Sequence, residues 1–334
     1  MRGRSCVDPL DLASRQGEPF TRPSLLSLVL LALLASNCDL FNPHPTTLFD
    51  TFGPALDVFA RNDTLLVAVG DSGLLGYDIT KPKAPRELWR ADIGRTCECV
   101  IAAGSDAFVG TDSGVLVYSL VSGGRTWLRC GGTSQFVTGL AADSTRLYVA
   151  AIDGVTVFDL SSAKPVRYVP VTGEPTGVAR HDSRLFVPLR DWGVCVFNVL
   201  PGDSLAIDTL RLGRRCRAEG VTASAGGYWI ISQADSGFLV VYSPTVDTVR
   251  LDAAGGSIVT YAAAVTDGVE NLSIYTADSV AVTLYKIVNR PDFRSFSSEG
   301  GFGEFTGFTR RICLGDNGYV YTASGDAGMY IIRE

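Results

Sequence analysis

The chain has 334 residues, 46% of them hydrophobic and 19% charged, which is ample core material for one large all-β domain or two ordinary ones and excludes a disordered polymer. Its formal net charge of −6 excludes a nucleic-acid binder that relies on overall basicity. Only two histidines occur, His44 and His181, which argues against zinc, haem and Ser-His-Asp chemistry, since each usually needs a placed imidazole.

Residues 1–23 are polar with arginines at positions 2, 4, 15 and 22, and Ser24–Ser36 is a 13-residue apolar run. A basic region, a short apolar run and small residues before a cut site predict an export signal over residues 1–37. The run is short of the ~20 apolar residues of a membrane-spanning helix. Ala35-Ser-Asn-Cys38 resembles the lipobox of bacterial lipoproteins, in which the cysteine is lipidated and becomes the new N-terminus. It departs from that pattern at Asn37, where Gly or Ala is preferred, and a plain secreted protein with an incidental Cys38 is the other reading. Residues 38–44 read as a tether, since Pro43 and Pro45 block regular structure.

From residue 45 to 334 the chain is periodic. In Leu147–Leu160 an apolar run, Asp153-Gly154 and a second alternating run predict a hairpin, because a two-residue type I′ turn needs positive φ at both central positions. Similar units stand around Asp71, Asp112, Asp191, Asp235, Asp278 and Asp326, at spacings of 41, 41, 38, 44, 43 and 48 residues. Thirteen residues before the markers stand Val58, Cys99, Leu140, Val178, Thr222, Val265 and Cys313; four after them stand Leu75, Leu116, Val157, Cys195, Leu239, Val282 and Tyr330. Both columns read as packing positions.

Each unit predicts four strands, in the third unit Val137–Ala141, Leu147–Ala151, Val155–Leu160 and Val166–Val171. Four antiparallel strands in ~40 residues make one blade of a β-propeller. Such a sheet is apolar on both faces and buries them only between neighbours. The last unit stops after its third strand, Gly328–Arg333, whereas Pro45–Gly53 precedes the first unit as an orphan fourth strand. The expected fold is therefore an all-β, seven-bladed propeller of four-stranded antiparallel blades, its last blade closed by the N-terminal strand.

Leu147-Tyr-Val-Ala150 with Val157-Phe-Asp-Leu160, and Leu65-Leu-Val-Ala68 with Gly76–Pro85, resemble the bacterial LVIVD repeat family. The resemblance covers all seven units, most clearly the first four. It implies an exported, often lipid-anchored propeller at the cell envelope, and carries over no catalytic residue.

The turn aspartates lack the dense Asp-x-Asp-x-Asp series of a calcium loop, and Asp suits such turns through its own backbone hydrogen bonds. No metal or cofactor is expected. Cys99, Cys195 and Cys313 stand in packing columns, as small hydrophobes. Cys97, Cys130 and Cys216 stand off them; export permits disulfides, and Cys97–Cys130 is the candidate pair. The cluster with the most functional promise is basic: Arg95, then Arg214, Arg215 and Arg217, then Arg310 and Arg311 precede the first strands of units two, five and seven. On one face around the axis they could hold a carboxylate or phosphate; the plainer reading pairs them with Glu98, Glu219 and Glu304. His181 reads as a solvated turn histidine, and Trp192, beside a turn aspartate, as the tryptophan most exposed to a partner. Two functions remain in view. One is a non-enzymatic envelope module binding a protein or glycan partner. The other is a hydrolase or lactonase using a divalent metal and the carboxylates Asp57, Glu98, Glu174 and Glu219.

Overall fold

The computed structural model describes residues 46–200, 204–208, 217–223, 228–233, 237–242, 248–249, 261–266, 271–277, 282–288, 296–302 and 308–333. The export signal, Cys38 and its tether lie outside these residues.

Strand β1 (Thr46–Phe49) is followed by four sheets in chain order. They are β2–β5 (Asp57–Arg61, Thr64–Ala68, Leu74–Asp78, Arg86–Ala91), β6–β9 (Cys97–Ala103, Asp106–Thr111, Gly114–Ser119, Arg125–Leu128), β10–β13 (Val137–Ala142, Arg146–Ala151, Gly154–Asp159, Lys164–Pro170) and β14–β17 (Ala179–His181, Arg184–Leu189, Gly193–Leu200, Ser204–Asp208). Two more follow, β18–β21 (Ala218–Ala223, Tyr228–Gln233, Gly237–Tyr242, Thr248–Val249) and β22–β25 (Tyr261–Thr266, Asn271–Ala277, Val282–Val288, Phe296–Phe302). The last three strands are β26 (Arg311–Leu314), β27 (Tyr319–Ala323) and β28 (Met329–Arg333). Among the described residues every sheet has four antiparallel strands in simple meander order, apart from the last, whose order is β1-β28-β27-β26.

That last sheet joins the two ends of the described chain. Thr46 pairs Ile332 and Phe49 pairs Met329, so the N-terminal strand supplies the outermost position that the C-terminal repeat lacks. The Phe49 ring then stands edge-on to Tyr77 of the first sheet at 5.3 Å, locking the closure with a side-chain contact.

Each core is built between sheets. Val58, Leu65 and Val67 of the first sheet pack on Tyr321, Met329 and Ile331 of the last. Leu66, Ala68 and Leu74 pack on Val100, Val109 and Leu116 of the second sheet. This division follows from strand alternation: Leu65 and Leu66 are adjacent, point to opposite faces, and are both fully buried. Four residues after the turn markers, Leu75, Leu116, Val157, Cys195, Val282 and Tyr330 are all buried. In the earlier column Val58, Cys99, Leu140 and Val178 are buried, whereas Thr222 and Cys313 are partly buried and line an internal cavity.

Candidate functional site

The first strands of the sheets lie innermost and neighbour one another in turn, β2 to β6, β6 to β10, β10 to β14, β14 to β18, β18 to β22, β22 to β26 and β26 back to β2. They surround a channel of about 400 Å3. Its wall is mostly small and apolar, with Gly139, Ala141, Gly177 and Ala179 among the lining residues. At Gly139 a Cβ would stand 2.6 Å from the Gly177 Cα, so the third and fourth sheets touch there through backbone that only glycine permits.

Among the described residues, three charged side chains break this apolar wall: Asp57, Arg180 and Arg311. Asp57 opens β2, and its carboxylate accepts the backbone N–H groups of Val58 and Val100, each at 2.9 Å. Burial pushes this carboxyl up to about 6, against the pull of Arg311 and of those two N–H groups. Arg311 opens β26 and reaches across the bore. Its Nε stands 4.0 Å from Asp57 Oδ1, its Nη2 donates to the Thr138 carbonyl at 3.2 Å, and a Cβ on Gly177 would lie 4.0 Å from its Nη1. One guanidinium therefore ties the seventh repeat to the first and third, and lies against the fourth at Gly177. At the other end Arg180 is held by Asp143 at 3.0 Å and by the Tyr148 hydroxyl at 3.2 Å.

The arginines singled out by the sequence are thus divided. Arg311 enters the channel, whereas Arg95 and Arg310 are exposed. Arg217 pairs with Glu219 at 2.8 Å, the plainer of the two readings. Burial raises the Glu98 carboxyl, with Arg310 and Arg311 opposing. Arg214, Arg215 and Glu304 lie outside the described residues. Arg180 was not singled out. Its signal was available in the repeat: eleven residues before the markers, Ala60, Ile101 and Ala142 are small or apolar and Arg180 alone is charged in the first four units.

Two other expectations are corrected. Cys97 and Cys130 are free, buried thiols. Cys97 packs with Leu66 and Val109 and Cys130 with Leu128 and Val137, so they sit in cores on opposite faces of the second sheet. His181 is the last residue of β14, standing edge-on to Trp229 at 5.3 Å with a side chain only 20% exposed, and is not a solvated turn residue. Burial holds the Cys97 and Cys313 thiols up at about 12 and raises Cys99 as well, which disfavours the reactive thiolate at each. Among the described residues no group of three or more His, Cys, Asp and Glu is arranged to hold a metal ion.

No protein-family model matches the chain, and no curated protein sequence matches it. Solved structures do match. U3-55K superposes with a TM-score of 0.70 at 12% identity, over 86% of this chain and 98% of that one. The RRP9 WD40 repeats give 0.68 at 12% identity, over 86% and 99%. The extracellular domain of the hybrid two-component system BT3049 from B. thetaiotaomicron gives 0.62 at 12% identity, over 87% of this chain and 42% of that one. The fold is a β-propeller resembling those of WD40 repeat proteins. At this identity the likeness is one of fold alone.

In a propeller the hairpin between second and third strands and the connection between blades emerge at the same end, and side chains join them here. Asp153 Oδ2 accepts the Thr133 and Ser134 N–H groups at 2.6 and 2.9 Å and the Thr133 hydroxyl at 2.7 Å. Asp71 accepts the Thr96 hydroxyl in the same way. Asp71 and Asp153 are latches as well as turn formers. This turn face also carries Phe52, Ile152, Trp192 and Phe308, four of the bulky apolar side chains left exposed. Trp192, expected to be the most exposed tryptophan, is 60% exposed.

Proposed function

We propose that this chain is an exported, lipid-anchored propeller of the LVIVD-repeat kind that serves as an interaction module at the bacterial cell envelope. Seven blades closed by the N-terminal strand form the rigid body, Cys38 is the lipidation site, and residues 38–44 are the tether. One observation carries the docking reading: Phe52, Ile152, Trp192 and Phe308 are exposed on the same turn face, at two places across the ring. Aromatic side chains anchor partners because they bury a large area at small entropic cost. Of the other exposed bulky residues, Leu48, Leu88, Trp127 and Val166 lie on the outer strands β1, β5, β9 and β13, and Val121 lies in the connection between β8 and β9.

The hydrolase alternative needs channel carboxylates free to hold a metal. Asp57 and Glu98 have Arg311 beside them, Glu174 pairs with Arg190 at 3.2 Å, and Glu219 pairs with Arg217. Each carboxylate named for that chemistry has an arginine at hand, which favours the module.

A photo-reactive residue placed at Trp192 or Phe308 of the full chain, in its native cells, should give a discrete cross-linked adduct with a protein or glycan. The same residue at Val121, 85% exposed in the connection between β8 and β9 at the other end of a blade, should not. Equal adducts from both positions, or none from either, overturn the docking reading. Cys38→Ser should move the protein out of the membrane fraction; retention there overturns the anchor.

A further inference from the structure

The outer flank of the first two blades departs from the charge of the whole chain, whose formal net charge is −6. Residues 79–93 and 120–130 include the outer strands β5 and β9. They carry Lys81, Lys83, Arg86, Arg90, Arg125 and Arg129, all exposed, against two acids, Glu87 and Asp92. On the opposite arc of the ring the outer strands β17, β21 and β25 carry no basic residue and two acids, Asp208 and Glu299. Cations are a common guard on sheet edges, but a guard would be needed equally on those three strands.

Apolar side chains stand among these cations, which edge protection does not explain. Leu88 is the extra residue of a bulge, between Glu87 and Trp89 that pair with adjacent residues of β4, and it is 47% exposed. Trp127, opposite Leu116 of β8, is 45% exposed. Between the two outer strands Trp89 meets Tyr118 of β8 with ring centres 5.2 Å apart, and Arg125 lies over the same Tyr118 ring at 5.9 Å. The two blades therefore present one continuous surface. Arg86 pairs with Asp78 at 3.3 Å and Arg90 with Glu87 at 3.1 Å, exposed pairs that hold weakly.

We propose that this flank lies on an anionic lipid surface, with Leu88 and Trp127 among the headgroups and the surrounding cations on lipid phosphates. Tryptophan favours the membrane–water boundary because its ring is apolar and its N–H polar. Lys and Arg keep their charge among the headgroups while their stems cover apolar surface. The place where the chain enters the ring fits this contact. Strand β1 begins at Thr46, eight residues after Cys38, a stretch that spans at most about 28 Å. It is the outer strand of the last blade, which neighbours the first, and three residues beyond it Phe52 lies under Arg90 at 4.9 Å. A ring resting on this flank leaves its turn face open at the side, free for the partner proposed above.

The inference rests on the envelope reading for its membrane but needs no lipid on Cys38, so the test uses the full chain carrying Cys38→Ser. It is sedimented with vesicles of phosphatidylcholine, or of phosphatidylcholine with about one third phosphatidylglycerol. Binding to phosphatidylcholine alone, which the apolar run Ser24–Ser36 can supply, sets the baseline. A cation near an anionic surface is worth about fivefold in partitioning. Lys83→Gln, Arg125→Gln and Arg129→Gln together should therefore cost at least thirtyfold on the mixed vesicles, about fivefold for each, and nothing on the neutral ones. Brominated acyl chains should quench a tryptophan component that Trp127→Phe removes and Trp192→Phe keeps; this measurement carries the test if the triple variant fails to fold. Equal affinity for the two vesicles, unchanged binding by the folded triple variant, or quenching that survives Trp127→Phe overturns the proposal. So does a photo-reactive residue at position 127 that marks a protein instead of lipid in the native cells. High salt screens the flank and not an acyl chain, so washing the membrane fraction with it separates failure of this proposal from failure of the anchor.

Discussion

Replacing Asp57 by asparagine should flatten the pH dependence of stability between about pH 4 and pH 6. The carboxyl moves from 3.8 to about 6 on folding, because burial outweighs Arg311 and the two backbone donors. Within that window the folded chain holds a proton that the unfolded chain has released. Stability therefore falls as the pH rises through the window, and is greatest, for this group, below 3.8. A displacement from 3.8 to about 6 corresponds to about 3 kcal/mol at 1.36 kcal/mol per pH unit. Asp143 and Asp153 work in the opposite direction, both held below the usual carboxylate range, so their contributions are lost only as the pH falls under the window. Glu98 is raised, and adds to the same slope as Asp57.

The readout is the difference between the two proteins, which cancels Glu98. The substituted amide keeps one acceptor and turns the other into a donor facing an N–H, so the variant should lose about 1–3 kcal/mol at every pH from the unsatisfied pair. That offset is constant. Urea unfolding followed by tryptophan fluorescence at half-unit steps from pH 4 to 7 gives both curves. Between pH 4 and pH 7 the difference between wild type and variant should move by about 2.5 kcal/mol in the variant's favour, so the gap closes or changes sign at the neutral end. Parallel curves, with a gap constant to within about 0.5 kcal/mol, would show that Asp57 is not the buried acid of the channel.

The ring closure and the turn latches give two further tests. Phe49→Ala removes the edge-on contact to Tyr77 and opens the core shared by first and last blades; urea unfolding should register a loss of about 2 kcal/mol, less than for a fully buried ring. Asp153→Ala leaves the Thr133 and Ser134 N–H groups without their acceptor; it should cost about 1.5–3 kcal/mol and speed hydrogen exchange at those two amides, and unchanged exchange there would refute the latch.

What the sequence disclosed and what it hid divide by the range of the interaction. Asp153-Gly154 announces its hairpin, but not in the expected type I′ form: the loop residues are Ile152 and Asp153, Gly154 pairs Ala151 as the first residue of β12, and neither Asp153 nor Gly154 adopts positive φ. The columns of Leu75, Leu116 and Val157 were legible because strand alternation fixes the face once the turn is placed. The closing strand was legible from an inventory, one strand short at one end and one over at the other. By contrast, Arg310 and Arg311 are neighbours that a strand sends to opposite sides, and only the register of β26 decides that Arg311 enters the channel. The Arg180–Asp143 pair joins two blades, and the separation of Cys97 from Cys130 depends on which face of a blade each side chain takes. Such choices are made by packing across chain segments remote in sequence.

The repeat itself explains how one arginine can lie across the axis. Fourteen residues before the turn markers stand Asp57, Glu98, Gly139 and Gly177 in the first four units. Asp57 sits on the blade next to Arg311 in the ring and Glu98 on the one beyond it, and the two glycines sit on the blades its guanidinium reaches toward. A β-carbon with a large side chain in the third or fourth place would occupy the space that Nη1 and Nη2 use. An apolar residue in the first place would take the Asp57 carboxylate from beside the guanidinium in a partly buried channel, a costly change. Repetition of the apolar columns builds the blades, and departure from repetition in this single row builds the channel: small residues on one side, acids on the other, and a long cation between them. A function tied to Arg311 therefore depends on Asp57, Gly139 and Gly177 together, and the same arginine set in a regular row of valines would have neither the room nor the counter-charge to lie there.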